Sequence, residues 1–186
     1  RSHVTSPQDM VTTMTEVHRA GFVAEATFRI EEGLLREAMQ ELVKVRAESP
    51  ADAPFVLGVG SVINPKELAA AIEMGFDMIV APADVMGSHG ESAEFVRRTR
   101  AAGIFSAPAV FTPTELQVFL ERDDGLEPDA FKVFPARSHG PEGFSDLLAP
   151  FARARHRDRI IMPTGAVNLE TGPAYVAAIR KRGFTP

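Results

Sequence analysis

Four stretches of the chain share one form: "RAGFVAEA" (19–26), "EMGFDMIV" (73–80), "AAGIFSAP" (101–108) and "KRGFTP" (181–186). In each, a helical pattern runs into Gly and an apolar run follows. Gly just past a helix takes the left-handed conformation at little cost and is the usual C-terminal cap. The apolar run behind it reads as a buried strand. Each repeat therefore has to lay down a helix and then a strand, which restricts the fold more than any single motif.

The intervals fill in regularly. Helices are predicted over 7–19, 34–48, 65–74, 91–102, 113–122, 144–154 and 169–182, and strands over 22–29, 55–62, 76–81, 104–110, 130–135 and 159–163. "SPQD", "NPKE" and "TPTE" each supply a Ser, Asn or Thr cap with Pro at the first helical position. Such alternation implies parallel β/α units joined by right-handed crossovers. A β/α barrel needs eight strands; one before residue 4 and one after residue 183 would complete it. The expectation is a (β/α)8 TIM barrel, one domain over residues 1–186, with the first and last strands missing from this chain. An open, doubly wound sheet is the alternative. The barrel is preferred because polar residues recur within the strands, where a sheet covered on both faces is continuously apolar.

Composition limits the function classes. With 45% hydrophobic and 24% charged residues, the 186-residue chain has the profile of a soluble globular domain. No apolar run approaches the length of a membrane span, and a net charge of −5 argues against a general nucleic-acid binder. The absence of Cys excludes disulfides, thiolate catalysis and zinc–thiolate sites, and fits a cytoplasmic protein. His3, His18, His89, His139 and His156 show no metal-ligand spacing. "GSHGE" (87–91) and "RSHGPEG" (137–143) read as solvated glycine-rich loops, and no metal site is assigned.

Only four of the 20 basic side chains are lysines, and three of those four lie in polar, helix-like surroundings. Lys132 lies instead in "AFKVFPA" (130–136). Strand parity puts Phe131 and Val133 under the helices, and Ala130, Lys132 and Phe134 toward the barrel axis. A lysine there must be paired or shed its charge. It reads either as a nucleophile able to form a Schiff base with a ketone or as half of a structural ion pair. In "FVAEATFR" (22–29), Val23, Glu25, Thr27 and Arg29 share one face, and Phe22, Ala24, Ala26 and Phe28 the other. The first face points either into the barrel toward its C-terminal mouth, where active sites of this fold lie, or out to water from an edge strand.

"GVGSVINP" (58–65) has Ile63 where a dinucleotide fingerprint needs its third Gly. Its Gly pair allows close approach at a strand end, where Ser61 offers a hydroxyl; a plain tight turn is the other reading. "MPTGAVN" (162–168) sets small residues between a strand end and a helix, where free backbone N–H groups either bind an anion or form an ordinary turn.

Together, "EATFR", "GVGSVINPKEL", "FKVFPA" followed by "HGPEGF", and "PTGAV" resemble, in order and spacing, the 2-keto-3-deoxy-6-phosphogluconate aldolase family. That family includes 2-keto-3-deoxy-6-phosphogalactonate and 4-hydroxy-2-oxoglutarate aldolases. The resemblance implies a trimeric (β/α)8 barrel that cleaves a 2-keto acid to pyruvate and an aldehyde without metal or cofactor. Lys132 matches the Schiff-base lysine and Glu25 the general acid/base. Arg29 and Ser61 match positions near the pyruvyl carboxylate, and Thr27 belongs to the same strand motif. Phe134 matches an aromatic beside the Schiff base, Pro82 a proline ending the fourth barrel strand, and Arg1 an arginine closing the first.

Thr164, Gly165 and Ala166 match the phosphate loop, with Ala166 in place of a second Gly. The resemblance implies a phosphorylated 2-keto-3-deoxy sugar acid as substrate, giving pyruvate and glyceraldehyde 3-phosphate. Ala166 leaves room for the shorter 4-hydroxy-2-oxoglutarate, which would give pyruvate and glyoxylate. A non-catalytic barrel binding an anionic metabolite is the third reading. Neither nucleic acid nor membrane is expected as a partner.

Overall fold

The computed structural model describes residues 4–87 and 92–186. Arg1, His3 and the "GSHGE" histidine, His89, lie outside them. Among the described residues the chain alternates α1 (Pro7–Arg19), β1 (Ala24–Thr27), α2 (Glu32–Ala47), β2 (Leu57–Gly60), α3 (Pro65–Met74), β3 (Met78–Pro82), α4 (Ser92–Ala101), β4 (Phe105–Val110), α5 (Pro113–Leu120), β5 (Ala130–Val133), α6 (Gly140–Leu148), β6 (Ile160–Pro163) and α7 (Gly172–Lys181). The six strands are all parallel and stand in chain order. Thr185 adds a single parallel bridge outside β6, to Ile160, where the sequence pattern predicts the next strand to begin. No described helix is long and apolar enough to cross a membrane.

The repeat corresponds to one recurring cap. Gly21, Gly75, Gly103 and Gly183 have φ of 82°, 81°, 69° and 83°. The amide one residue later reaches back five residues in every case: Phe22 to Val17, Phe76 to Ala71, Ile104 to Thr99 and Phe184 to Ile179. This is the Schellman pattern, which satisfies helix-end carbonyls. At the other helix ends, Ser6, Asn64 and Thr112 accept the backbone N–H of Asp9, Glu67 and Glu115, each behind a Pro at the start of its helix.

Two clusters divide the apolar residues. The larger lies between sheet and helices and holds the outward strand positions Ala24, Ala26, Leu57, Val59, Ile79, Phe131, Val133 and Ile161. Phe55, Phe95, Phe119 and Phe144 are fully buried in it, each contributing about 1.5–3 kcal/mol of burial. The smaller cluster joins Val80, Ala107 and Ala130, with Met78, Phe105, Ile160 and Met162 against them. Its members alternate with the outward residues along β3, β4, β5 and β6, so they occupy the other face. Side chains of these neighbouring strands pack side by side there, and an open doubly wound sheet would place helices on that face instead. The observed architecture is a curled half-barrel.

Several elements are shorter than their patterns. β1 begins at Ala24, not at residue 22. It is an edge of the described sheet, so Phe22 and Val23 remain 69% and 55% exposed, and Phe22 does not pack under the helices. β2 stops where Ser61 turns to φ 58°, and β5 stops before Pro135, which has no N–H for the ladder. The helix predicted over 144–154 runs from Gly140, with Pro141 at its start, to Leu148; the chain then continues as short 3₁₀ turns over Ala149–Phe151 and Ala154–His156.

Candidate active site

The concave face carries the polar residues. β1 puts Ala24 and Ala26 into the outer core, which leaves Glu25 and Thr27 on the concave side. On β5, Lys132 alternates with Phe131 and Val133, both fully buried outward. Register aligns Pro82 with Ala109, Ala109 with Lys132 and Lys132 with Met162. Lys132 is therefore the next inward residue after Ala130, above an apolar floor, and its side chain is only 12% exposed.

Glu25 and Lys132 meet across this face, with Nζ 3.5 Å from Oε1. Phe134 follows directly, its ring centroid 5.5 Å from Nζ, within the range of a cation–π contact. Gly60 makes the approach of Glu25 possible: a Cβ there would lie 2.1 Å from Glu25 Oε1. Thr27 Oγ1 donates to Ser61 Oγ at 3.1 Å and accepts the Arg29 backbone N–H at 3.2 Å. Ser61 and Thr27 are thus joined beside Glu25. Arg29 lies past the end of β1, in an exposed turn rather than on the strand, because the chain leaves the sheet after Thr27.

The loop after β6 packs against the same corner. Thr164 donates its N–H to the Val133 carbonyl and accepts from Ala136 N at 2.7 Å. Gly165 has φ 99°, and a Cβ on it would come 3.3 Å from both Phe134 Cε2 and Pro135 Cα. Ala166 follows at φ 58°. The loop does not run straight into a helix: Asn168 Oδ1 accepts the N–H groups of Glu170 and Thr171, and α7 starts only at Gly172. The "PTGAV" amides therefore stand apart from the helix end that the sequence pattern assigns to them.

The structure brings Glu25, Thr27, Ser61, Lys132 and Phe134 to one place, with Pro82 on the Lys132 row and the Thr164–Ala166 loop behind Phe134. The sequence allows close approach at the Gly58–Gly60 pair without showing what approaches, and two further contributions do not show in it at all. Gly60 provides the space for Glu25. Tyr175, on α7, donates its hydroxyl to the Ala136 carbonyl at 3.0 Å and so supports the turn after Phe134. His139 is not a solvated loop residue: its ring tilts against Phe111 at 4.5 Å and its Nε2 is buried, because the "HGP" segment opens α6. The Gly-x-Gly spacing signals the first of these, while the other two depend on long-range packing.

A primary amine, a carboxylate and hydroxyls above an apolar floor are the parts needed to activate a carbonyl compound. Comparisons with known proteins point the same way. The KDPG and KHG aldolase family profile matches residues 4–181. The 2-dehydro-3-deoxy-phosphogluconate aldolase of Dickeya dadantii (strain 3937) is 28% identical over 149 residues, covering 80% of this chain and 62% of the relative. The 2-keto-3-deoxy-6-phosphogluconate aldolase of Zymomonas mobilis ZM4, solved with 3-phosphoglycerate, superposes with a TM-score of 0.64 at 26% identity over 93% of this chain and 72% of that one. A native KDPGal structure gives a TM-score of 0.72 over 93% of this chain and 74% of that one; at 24% identity it speaks for the fold alone. The chain spans 62% of the length of that Dickeya dadantii relative. With the profile covering nearly its whole length, the chain belongs to the KDPG and KHG aldolase family.

Proposed function

We propose that the site performs class I aldolase chemistry on a 2-keto acid, with Lys132 as nucleophile and Glu25 as acid/base. The approach of Lys132 Nζ to Glu25 Oε1 above the apolar floor of the concave face carries this reading. The unprotonated Lys132 amine adds to the C2 ketone, and loss of water with uptake of one proton from solvent, returned at the final hydrolysis, leaves an iminium. Glu25 takes the proton of the C4 hydroxyl, the C3–C4 bond breaks, and the aldehyde departs. The bonding electrons pass into the iminium and form an enamine. A proton returned to C3 and hydrolysis of the imine release pyruvate and the free lysine.

A carboxylate moves such protons at about 2.6–3.2 Å or through one water, which the position of Glu25 allows. Ser61 and Thr27 offer hydroxyls to the substrate carboxylate, and Arg29, placed in the adjoining turn, is suited to a bidentate clamp. The expected substrate is a 2-keto-3-deoxy-6-phospho sugar acid, cleaved to pyruvate and glyceraldehyde 3-phosphate, with the Thr164–Gly165–Ala166 loop receiving the phosphate.

Borohydride reduction in the presence of pyruvate tests the reaction class. It is expected to attach a reduced pyruvyl group at Lys132; an unlabelled Lys132 would exclude the Schiff-base mechanism. Ala166 supports a second substrate: its methyl group stands where the loop would otherwise offer bare backbone, which favours the smaller 4-hydroxy-2-oxoglutarate. The ratio of kcat/KM for phosphorylated and unphosphorylated substrates separates the two. A non-catalytic binder would be stabilised by ligand and release no pyruvate. The trimer is part of the same proposal, and light scattering of the purified chain tests it.

A further inference from the structure

The geometry points to Gly60 as the positioning residue that sets Glu25 against Lys132. The inference rests on the aldolase reading for its functional half and on sterics alone for the other. β2 carries glycine at both of its concave positions, Gly58 and Gly60, and each accommodates a different neighbour. A Cβ at Gly58 would meet Met78 Cε at 2.6 Å, the Ala24 carbonyl oxygen at 3.0 Å and Glu25 Cα at 3.5 Å, so the space above Gly58 is taken by the end of Met78 and the β1 backbone. At Gly60, the three nearest atoms a Cβ would meet all belong to the Glu25 side chain: Oε1 at 2.1 Å, Cδ at 3.0 Å and Cγ at 3.6 Å.

Glu25 is paired in register with Gly58, not Gly60. Its side chain therefore slants along the strand direction, over bare backbone at Gly60, on its way to Lys132. Any side chain at position 60 occupies that path. Because Glu25 is 37% exposed on its side chain, the carboxylate has solvent to swing into, and a single methyl group displaces it without disturbing the core. The glycine thus selects, among the rotamers open to Glu25, the one that faces the amine.

The test compares Gly60→Ala with Gly58→Ala in the full chain. Deuterium exchange into the methyl group of pyruvate, followed by NMR, reports proton transfer at the imine. Gly60→Ala is expected to slow the maximal exchange rate about 100-fold, the scale of a misplaced general acid/base, with KM for pyruvate little changed. Gly58→Ala would place its methyl group against the flexible end of Met78, 3.0 Å from the Ala24 carbonyl oxygen and 3.5 Å from Glu25 Cα, with no carboxylate atom among its three nearest neighbours, and is expected to retain most of the exchange. A crystal structure of Gly60→Ala should show the Glu25 carboxylate turned away from Lys132. Undiminished exchange in Gly60→Ala, equal loss in both variants, or a Glu25 carboxylate still in place would each overturn the inference. Lack of exchange in the unsubstituted chain would count against the aldolase reading, and the crystal structure of Gly60→Ala would then decide the steric claim by itself.

Discussion

Lys132 and Glu25 face each other from the fifth and first strands of the sheet, with Nζ and Oε1 3.5 Å apart. Flat parallel strands lie about 4.8 Å from their neighbours, so strands this far apart in order meet only because the sheet curls. The pairing is thus a consequence of the barrel-like curvature as much as of the two residues.

Replacing the carboxylate separates nucleophile from acid/base. Glu25→Gln keeps the size of the side chain and leaves Lys132 free to add to a ketone. The variant is expected to form the borohydride-trapped pyruvyl adduct while cleaving substrate about 10²–10⁴-fold more slowly, the usual contribution of general acid–base catalysis. Rapid-quench measurement of pyruvate release, beside mass analysis of the trapped adduct, checks the separation. Wild-type cleavage in Glu25→Gln would remove Glu25 from the proposed mechanism.

Support for Phe134 from outside the site gives a second prediction. Tyr175 is 3% exposed, donates its hydroxyl to the Ala136 carbonyl, and packs edge-on against Phe144 at 5.4 Å. Tyr175→Phe keeps the ring contact and removes one of the two donors to that carbonyl, which still accepts the His139 N–H at 3.0 Å. The expected loss is about 0.5–1.5 kcal/mol of unfolding free energy, read from urea denaturation. Because Ala136 also holds Thr164, the loop after β6 should become more susceptible to proteolysis.

Much of this arrangement is legible in the sequence, for local reasons. The helix–Gly–strand units are visible because a Schellman cap needs Gly at one position, and the inward placement of Glu25 and Lys132 because strand parity is fixed once the buried face is known. What the sequence hides is set by long-range contact. The "FVAEATFR" pattern cannot show that the strand ends at Thr27 and hands Arg29 to a turn. It cannot show that Phe22 of the first repeat stays exposed while Phe76, Ile104 and Phe184 are buried. Nor does "RSHGPEG" reveal that His139 packs on Phe111, since that contact joins the segments after β4 and β5.

Acid stability should depend on a cluster far from the site. The Arg155 guanidinium holds the Glu121 carboxyl below its ordinary value of 4.5, and His156, whose Nε2 lies 3.1 Å from Oε1, acts in the same direction. A carboxyl lowered in the folded state takes up a proton more readily when unfolded. Its stabilisation is therefore complete above pH 4.5 and is lost as the pH falls through the depressed folded value. Glu121→Gln should flatten the fall in unfolding free energy in that acid interval. Denaturation curves of both proteins at pH 3–6 (roughly the span that brackets carboxylate titration) check this, and parallel pH profiles would count against it.

Ala166 carries the last prediction, because its backbone and its methyl group pull in different directions. At φ 58° an L-residue sits in the left-handed region, at a cost of about 1–2 kcal/mol that Gly does not bear. Gly also gains freedom in the unfolded chain, which offsets about 0.4–1 kcal/mol. Ala166→Gly is therefore expected to stabilise the fold by about 0.5 kcal/mol, a small rise in Tm. The functional change should be larger: with the methyl group gone, the loop presents bare backbone to an anion, and kcat/KM should shift toward phosphorylated substrates relative to 4-hydroxy-2-oxoglutarate. A stabilised variant with an unchanged substrate ratio would show that the methyl group strains the loop without shaping the choice of aldehyde.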